Sequence, residues 1–160
     1  MKRINNLINH PVYIECLEKI VIAERDRKFC KHDMNHFLDV ARLATILNFQ
    51  EKIGLEVELI YAAAMVHDIG KYVEYECGTS HEIASSHIAR NLLKDCSFDV
   101  IEMEQILKAV ENHRNKDVSE ERNLSGIIYR GDKMSRCCFA CKEMENCNWE
   151  LEKKNLNIIY

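Results

Sequence analysis

The sequence predicts an all-α fold: a single-domain helical bundle of about six helices. Three observations carry that prediction. Apolar residues recur at steps of three and four along most of the chain, and short polar stretches join the runs. One proline, Pro11, and five glycines in 160 residues are too few for a turn-rich β architecture. The hydrophobic fraction of 47% and charged fraction of 30% suit one compact domain rather than a disordered chain.

The elements follow in order. Residues 10–28 predict a first helix, with Tyr13, Leu17, Ile20 and Ala23/Glu24 on one face. A second spans about 33–49, N-capped by Asp33, with the stripe His36, Val40, Leu43, Leu47. After a turn at Gly54, the segment from Val57 to His67 is apolar almost all round, which places it at the centre of a bundle. Gly70 reads as its C-terminal stop. Residues 71–79 read as a polar loop, after which Thr79 and Glu82 form a capping box opening a helix through Leu93. Asp99 and Glu102 begin the next helix in the same way, with the stripe Met103, Ile106, Val110, His113. A polar stretch, RNKDVSEERN, leads to a last long helix from about Leu124. Its expected inner face is Leu124, Ile128, Asp132, Ser135 and Phe139. Residues 1–136 are thus expected to form the helical domain, and 137–160 a cysteine-containing tail packed on it.

Four histidines and two carboxylates interrupt or end these apolar stripes: His36, His67, Asp68, His81, His113 and Asp132. Any one histidine alone is most simply a hydrogen-bonded core residue. The carboxylates are harder to explain, because a buried unpaired Asp is very costly, and Asp68 also sits at the negative end of a helix dipole. A divalent cation among them removes both problems. Imidazoles with carboxylates suit Fe, Mn, Zn or Ni better than Mg, which prefers oxygen.

The order His36, His67-Asp68, Asp132 resembles the HD-domain superfamily of metal-dependent phosphohydrolases. The motifs that carry it are HFLDVARLA, AAAMVHDIGKY and IIYRGDKMSR, and the likeness spans about residues 30–136. HEIASSHIARNLL and AVENHR resemble segments in which some members place further histidines, here His81 and His113. The resemblance implies a binuclear site bridged by Asp68. His36, His67 and Asp132 would complete one ion's shell, and His81 and His113 the other's. It implies one or two divalent ions and attack of a metal-activated hydroxide on phosphorus, with Asp68 and Lys71 at the catalytic centre. Lys71, Arg114 and Lys133 are candidate phosphate ligands, although exposed basic residues are most often solvated surface charge.

The expected substrate is a phosphate ester or anhydride of a nucleotide or another small molecule. Two other readings compete: a di-iron oxygenase of HD type, and a non-catalytic nucleotide-sensing module. Members that hydrolyse guanosine polyphosphates carry two acidic residues shortly after the doublet, whereas HDIGKYVE has none before Glu74. The Gly-Tyr-Pro tripeptide of the cyclic-di-nucleotide phosphodiesterases is absent. The six-position pattern most resembles small members that cleave dinucleoside polyphosphates, but the separation of His67 from His81 is short for them.

His32 lies four residues before His36 and is expected at most to sit behind the ligands or face substrate; His87 and His10 read as structural or exposed. The run RCCFACKEMENCNW supplies Cys138, Cys141 and Cys147, with Cys137 an alternative to Cys138. If the helices of His36 and Asp132 run antiparallel, Cys30 and Cys138 become neighbours, since each lies six residues from its ligand. Cys30, Cys138, Cys141 and Cys147 are therefore a candidate structural zinc or iron–sulfur site; the alternative is unconnected thiols. Cys16, Cys77 and Cys96 look isolated. A net charge of −4 argues against general nucleic-acid binding. Eight cysteines with no signal-like start and no run of ~18 apolar residues fit a reducing cytoplasm and no membrane span.

Overall fold

A computed structural model describes residues 1–158 of the chain, and the last two residues of the expected tail lie outside the described residues. Eight α-helices follow one another: α1 (Lys2–Ile8), α2 (Pro11–Ala23), α3 (Met34–Gln50), α4 (Val57–Val66), α5 (Lys71–Cys77), α6 (His81–Asp95), α7 (Val100–Asn112) and α8 (Leu124–Met134). Short 3-10 turns occupy Lys116–Val118, Cys138–Ala140 and Leu151–Lys153, and no strand occurs among the described residues.

Local chemistry explains half of the starts. Pro11 opens α2, where its missing N–H is no loss, and the His10 ring accepts from the Val12 amide. The Asp33 side chain accepts from the His36 amide at α3, and the Asn123 side chain from the Gly126 amide at α8. Asp99 and Glu102 form a full capping box at α7. Gly54 supplies a left-handed turn at φ +84° between α3 and α4.

The apolar segment runs through the middle of the bundle as expected. Leu59, Ile60 and every residue from Ala62 to Val66 are buried, and α4 packs against α1, α3, α7 and α8. Three consecutive alanines keep α4 slim, so its neighbours approach closely. Helices α3 and α8 cross closely at Gly131, where a Cβ would lie 3.0 Å from the Val40 carbonyl oxygen. Ser135 lies beside His36 and Arg130 pairs with Glu51, so the two helices run antiparallel.

Several boundaries differ from the sequence expectation. Among the described residues there are eight α-helices rather than about six, because residues 2–8 and 71–77 each form a helix of seven residues, too short to show a period. The first expected helix ends at Ala23 instead of 28. Thr79 forms no capping box; Ser80 is the N-cap of α6 and makes no side-chain cap bond. Gly70 is not a left-handed stop, since its φ is −91°. A Cβ there would lie 2.4 Å from the Ser85 nitrogen, so Gly70 is small because α6 presses on it. The last helix stops at Met134, and Phe139 is exposed rather than inward-facing.

Candidate metal centre

The six expected residues converge. His36 stands in the first turn of α3, His67 and Asp68 follow the end of α4, and His81 is the first residue of α6. His113 caps the C-terminus of α7, and Asp132 lies in the last turn of α8. All but His36 are buried, and the His36 side chain is 15% exposed.

Their ligand atoms fall into two groups that could each hold an ion: His36, His67 and Asp132, and Asp68, His81 and His113. Asp68 faces both. Its Oδ1 lies 3.1 Å from His81 Nε2 and 3.3 Å from His113 Nε2. Its Oδ2 lies 3.2 Å from His67 Nε2 and 3.5 Å from His36 Nε2. Asp132 Oδ1 is 3.6 Å from His36 Nε2.

The hydrogen-bond network fixes which ring nitrogens carry protons. His67 Nδ1 donates to the Ala64 carbonyl at 2.7 Å, and His113 Nδ1 to the Val110 carbonyl at 2.6 Å. His81 Nδ1 donates to the nearer Glu74 Oε2 at 2.8 Å; the Lys71 ammonium, 3.1 Å from the same nitrogen, donates to that carboxylate oxygen instead. Ser135 Oγ donates to the Asp132 carbonyl and so accepts from His36 Nδ1 at 3.3 Å. Each neutral imidazole therefore presents an Nε2 lone pair inward. Those nitrogens face one another at 3.2 Å in two pairs, His36 with His67 and His81 with His113. Asp68 Oδ1, buried among them, has no hydrogen-bond partner. Lone pairs converging on an unpartnered carboxylate oxygen are mutually repulsive, and a divalent cation is the species that satisfies all of them.

With protons rather than an ion on those inner nitrogens, burial still opposes ionisation of Asp68, but the charge of His67 and hydrogen bonds from His113, His36 and His67 hold the carboxyl well below its ordinary range. Asp132 is likewise driven down: burial opposes, and the neighbouring Lys133 ammonium leads the groups that prevail.

A family model described as HD domain matches residues 34–137. The chain belongs to the HD-domain family. Similar proteins extend the comparison. A protein of Clostridium beijerinckii is 44% identical over 160 residues, 100% of both chains. Ribonuclease Y of Mycoplasma mycoides is 24% identical over 135 residues, which is 84% of this chain and 24% of the ribonuclease. Ribonuclease Y of Acetivibrio thermocellus is 25% identical over 126 residues, 79% of this chain and 21% of the relative. The HD chain thus spans about a quarter of those ribonucleases. The crystal structure of a predicted HD superfamily hydrolase from an uncultured Thermotogales bacterium matches with a TM-score of 0.63 and 21% identity. That match covers 88% of this chain and 80% of the other, a likeness of fold.

In this HD domain the cluster floors a cavity of about 490 Å³. Eight Lys and Arg residues line it against four Asp, a local excess of positive charge on a chain of net charge −4. Lys71, Arg114 and Lys133 are among them, and each is already paired. Lys71 binds Glu74, Arg114 binds Glu82 at 3.3 Å, and Lys133 binds Asp132 Oδ2 at 2.5 Å. Cys30, Cys138, Cys141 and Cys147 line the outer part of the same cavity, but no three of their sulfurs lie within 4.8 Å of one another. Cys16 and Cys96 are buried and Cys77 is exposed. His87 is exposed, and His10 caps α2.

The partners that hold His32 in the HD site were not foreseen. His32 Nε2 lies 3.6 Å from Asp68 Oδ2, while its Nδ1 is 2.5 Å from Oε1 of Glu24, itself only 2% exposed. The Tyr75 hydroxyl donates to the same Glu24 oxygen at 2.7 Å, and the His32 amide donates to the other at 2.8 Å. Burial would raise the Glu24 carboxyl, but these bonds lower it from 4.5 to about 2. The signal was present: Glu24 continues the apolar stripe of α2, as Asp132 interrupts that of α8. Glu74, which orients His81 and holds Lys71, gave no such signal because its helix is too short to show a stripe.

Proposed function

We propose that this protein is a metal-dependent phosphohydrolase acting on a phosphate ester or anhydride of a nucleotide or another small molecule. The observation that carries the proposal is Asp68 turning one oxygen to each of two ligand groups, with imidazole lone pairs converging on it. His36, His67, Asp132 and Asp68 Oδ2 would hold one ion, and His81, His113 and Asp68 Oδ1 the other. When bound, such ions supply a water activated near neutral pH and positive charge for phosphate oxygens.

The chain's own residues do the rest. Ala64, Val110, Glu74 and Ser135 fix the tautomer and tilt of the four rings, so that no reorientation is needed when substrate arrives. Lys71, Arg114 and Lys133 would exchange their carboxylate partners for substrate oxygens and orient the phosphate over the cluster. A cavity of about 490 Å³ lies within the range of small-molecule sites. The relatives named ribonuclease Y act, by that name, on RNA, whose phosphodiester linkage belongs to the same class of bond.

The test is release of phosphate or alcohol from a panel of nucleotides and phosphate esters in the presence of Mn²⁺. Asp68→Asn is expected to lower that activity by more than about a hundredfold, beyond the 10–100-fold typical of losing an outer partner. Oxygen consumption by the iron-loaded protein with no hydrolysis of any ester would sink the proposal in favour of the oxygenase.

A further inference from the structure

A second set of metal-type donors lies outside the His/Asp cluster. Cys30 sits in the loop before α3, and Cys138, Cys141 and Cys147 lie beyond α8; all four line one cavity and none forms a disulfide. Cys138 and Cys141 are joined by a tight turn in which the Cys141 amide donates to the Cys138 carbonyl at 3.2 Å.

The segment carrying three of these thiols is otherwise weakly fastened. None of the described residues from 136 to 158 is buried. Fixing a residue's backbone costs about 1–2 kcal/mol, whereas a typical hydrogen bond returns about 1 kcal/mol net. The holding contacts are polar: the Asn155 amide donates to the carbonyls of Lys133, Met134 and Arg136, and Lys154 donates to those of Met144 and Cys147. The Arg136 guanidinium adds a stack on Trp149 at 4.0 Å. A segment without an apolar core is the kind that a structural metal fixes.

We propose that Cys30, Cys138, Cys141 and Cys147 bind one zinc ion, a structural site that ties the tail to the loop before α3 across the outer cavity. Binding ionises four thiols, releases four protons and leaves a centre of charge −2. Arg136, also on the cavity wall, offsets part of that charge. Because no three of the sulfurs lie within 4.8 Å of one another, binding draws the tail inward; Cys141 and Cys147 lie in irregular backbone that permits it. Cys138 is chosen over Cys137 on two grounds. After burial, the Cys138 thiol is the main influence raising the Cys30 thiol, with Cys141 adding to it, and the Cys137 thiol already donates to the Ser135 carbonyl at 3.7 Å.

The experiment titrates Co²⁺ into reduced, metal-free protein and follows sulfur-to-cobalt charge-transfer absorption, which imidazole and carboxylate ligands do not produce. At saturation the band is expected to report one thiolate-bound cobalt per chain, cobalt taken by the His/Asp cluster adding nothing to it. Cys30→Ser and Cys141→Ser are each expected to cut it by more than half, and Cys77→Ser to leave it unchanged. Counting maleimide-reactive thiols in the wild-type chain needs no variant: Zn²⁺ is expected to protect four thiols and leave Cys77 reactive. Cobalt bound without the band, a band untouched by both variants, or an iron–sulfur chromophore on the same thiols would each overturn the proposal. None of these readouts depends on hydrolysis, so this result and that of the proposed activity are separable.

Discussion

At the scale of single residues, the site is organised by what each imidazole does with its outer nitrogen. Because Nδ1 of all four rings is engaged, the inward lone pairs are fixed before any ion arrives. The ligands were legible in the sequence because polar residues stood on otherwise apolar helix faces. The partners were not: Ala64 and Val110 contribute backbone carbonyls, which have no signature in composition. Glu24 gives a prediction at this scale. Its folded-state value of about 2 lies below its ordinary 4.5, so the folded chain holds fewer protons than the unfolded chain between those values. The stabilisation is therefore complete above about pH 4.5 and is lost as pH falls through about 2. Glu24→Gln is expected to cost roughly 1–3 kcal/mol at neutral pH and to flatten the acid limb of stability, measured by urea unfolding from pH 2 to 7. An acid limb of unchanged slope would show that the Glu24 charge is not what His32 and Tyr75 hold.

At the scale of elements, helix starts were readable wherever a side chain caps its own helix, as with Asp33 and Asp99. They were missed where a third element decides. Gly70 looked like a helix stop because glycine after an apolar run usually is one. Its actual requirement comes from α6, fifteen residues away, whose Ser85 hydroxyl also accepts from the Gly70 amide at 2.9 Å. Replacing Gly70 by Ala is expected to destabilise the protein by about 1–3 kcal/mol, because the obstacle is backbone rather than a flexible side chain. A urea midpoint equal to wild type would mean that α5 and α6 separate without penalty. The α1 and α5 helices escaped detection for a different reason: seven residues make barely two turns, too few for a period to stand out.

At the scale of the whole molecule, the bundle brings like-acting groups from five helices or their ends into one interior, an arrangement that an ion would relieve. Bound metal is thus expected to act as a folding ligand. At an ion concentration a hundred times its dissociation constant, linkage gives about 2.7 kcal/mol, or roughly 5–10 °C in Tm for a chain of this size. Chelation of the Mn²⁺-loaded wild type should lower Tm by about that amount, and Asp68→Asn should show no such drop, as followed by circular dichroism. An equal drop in both would place the stabilising ion elsewhere. The tail was the least legible region, since the amide of Asn155 closing the end of α8 joins residues about twenty positions apart with no pattern between them. That closure also orders events in time. Synthesis runs from the N-terminal side, so His36, His67, His81 and His113 emerge well before the Asn155 amide that secures the final turn bearing Asp132. Nascent chains stalled short of that amide would carry a cavity whose last carboxylate rides on an unfinished helix, and competence would wait for residue 155.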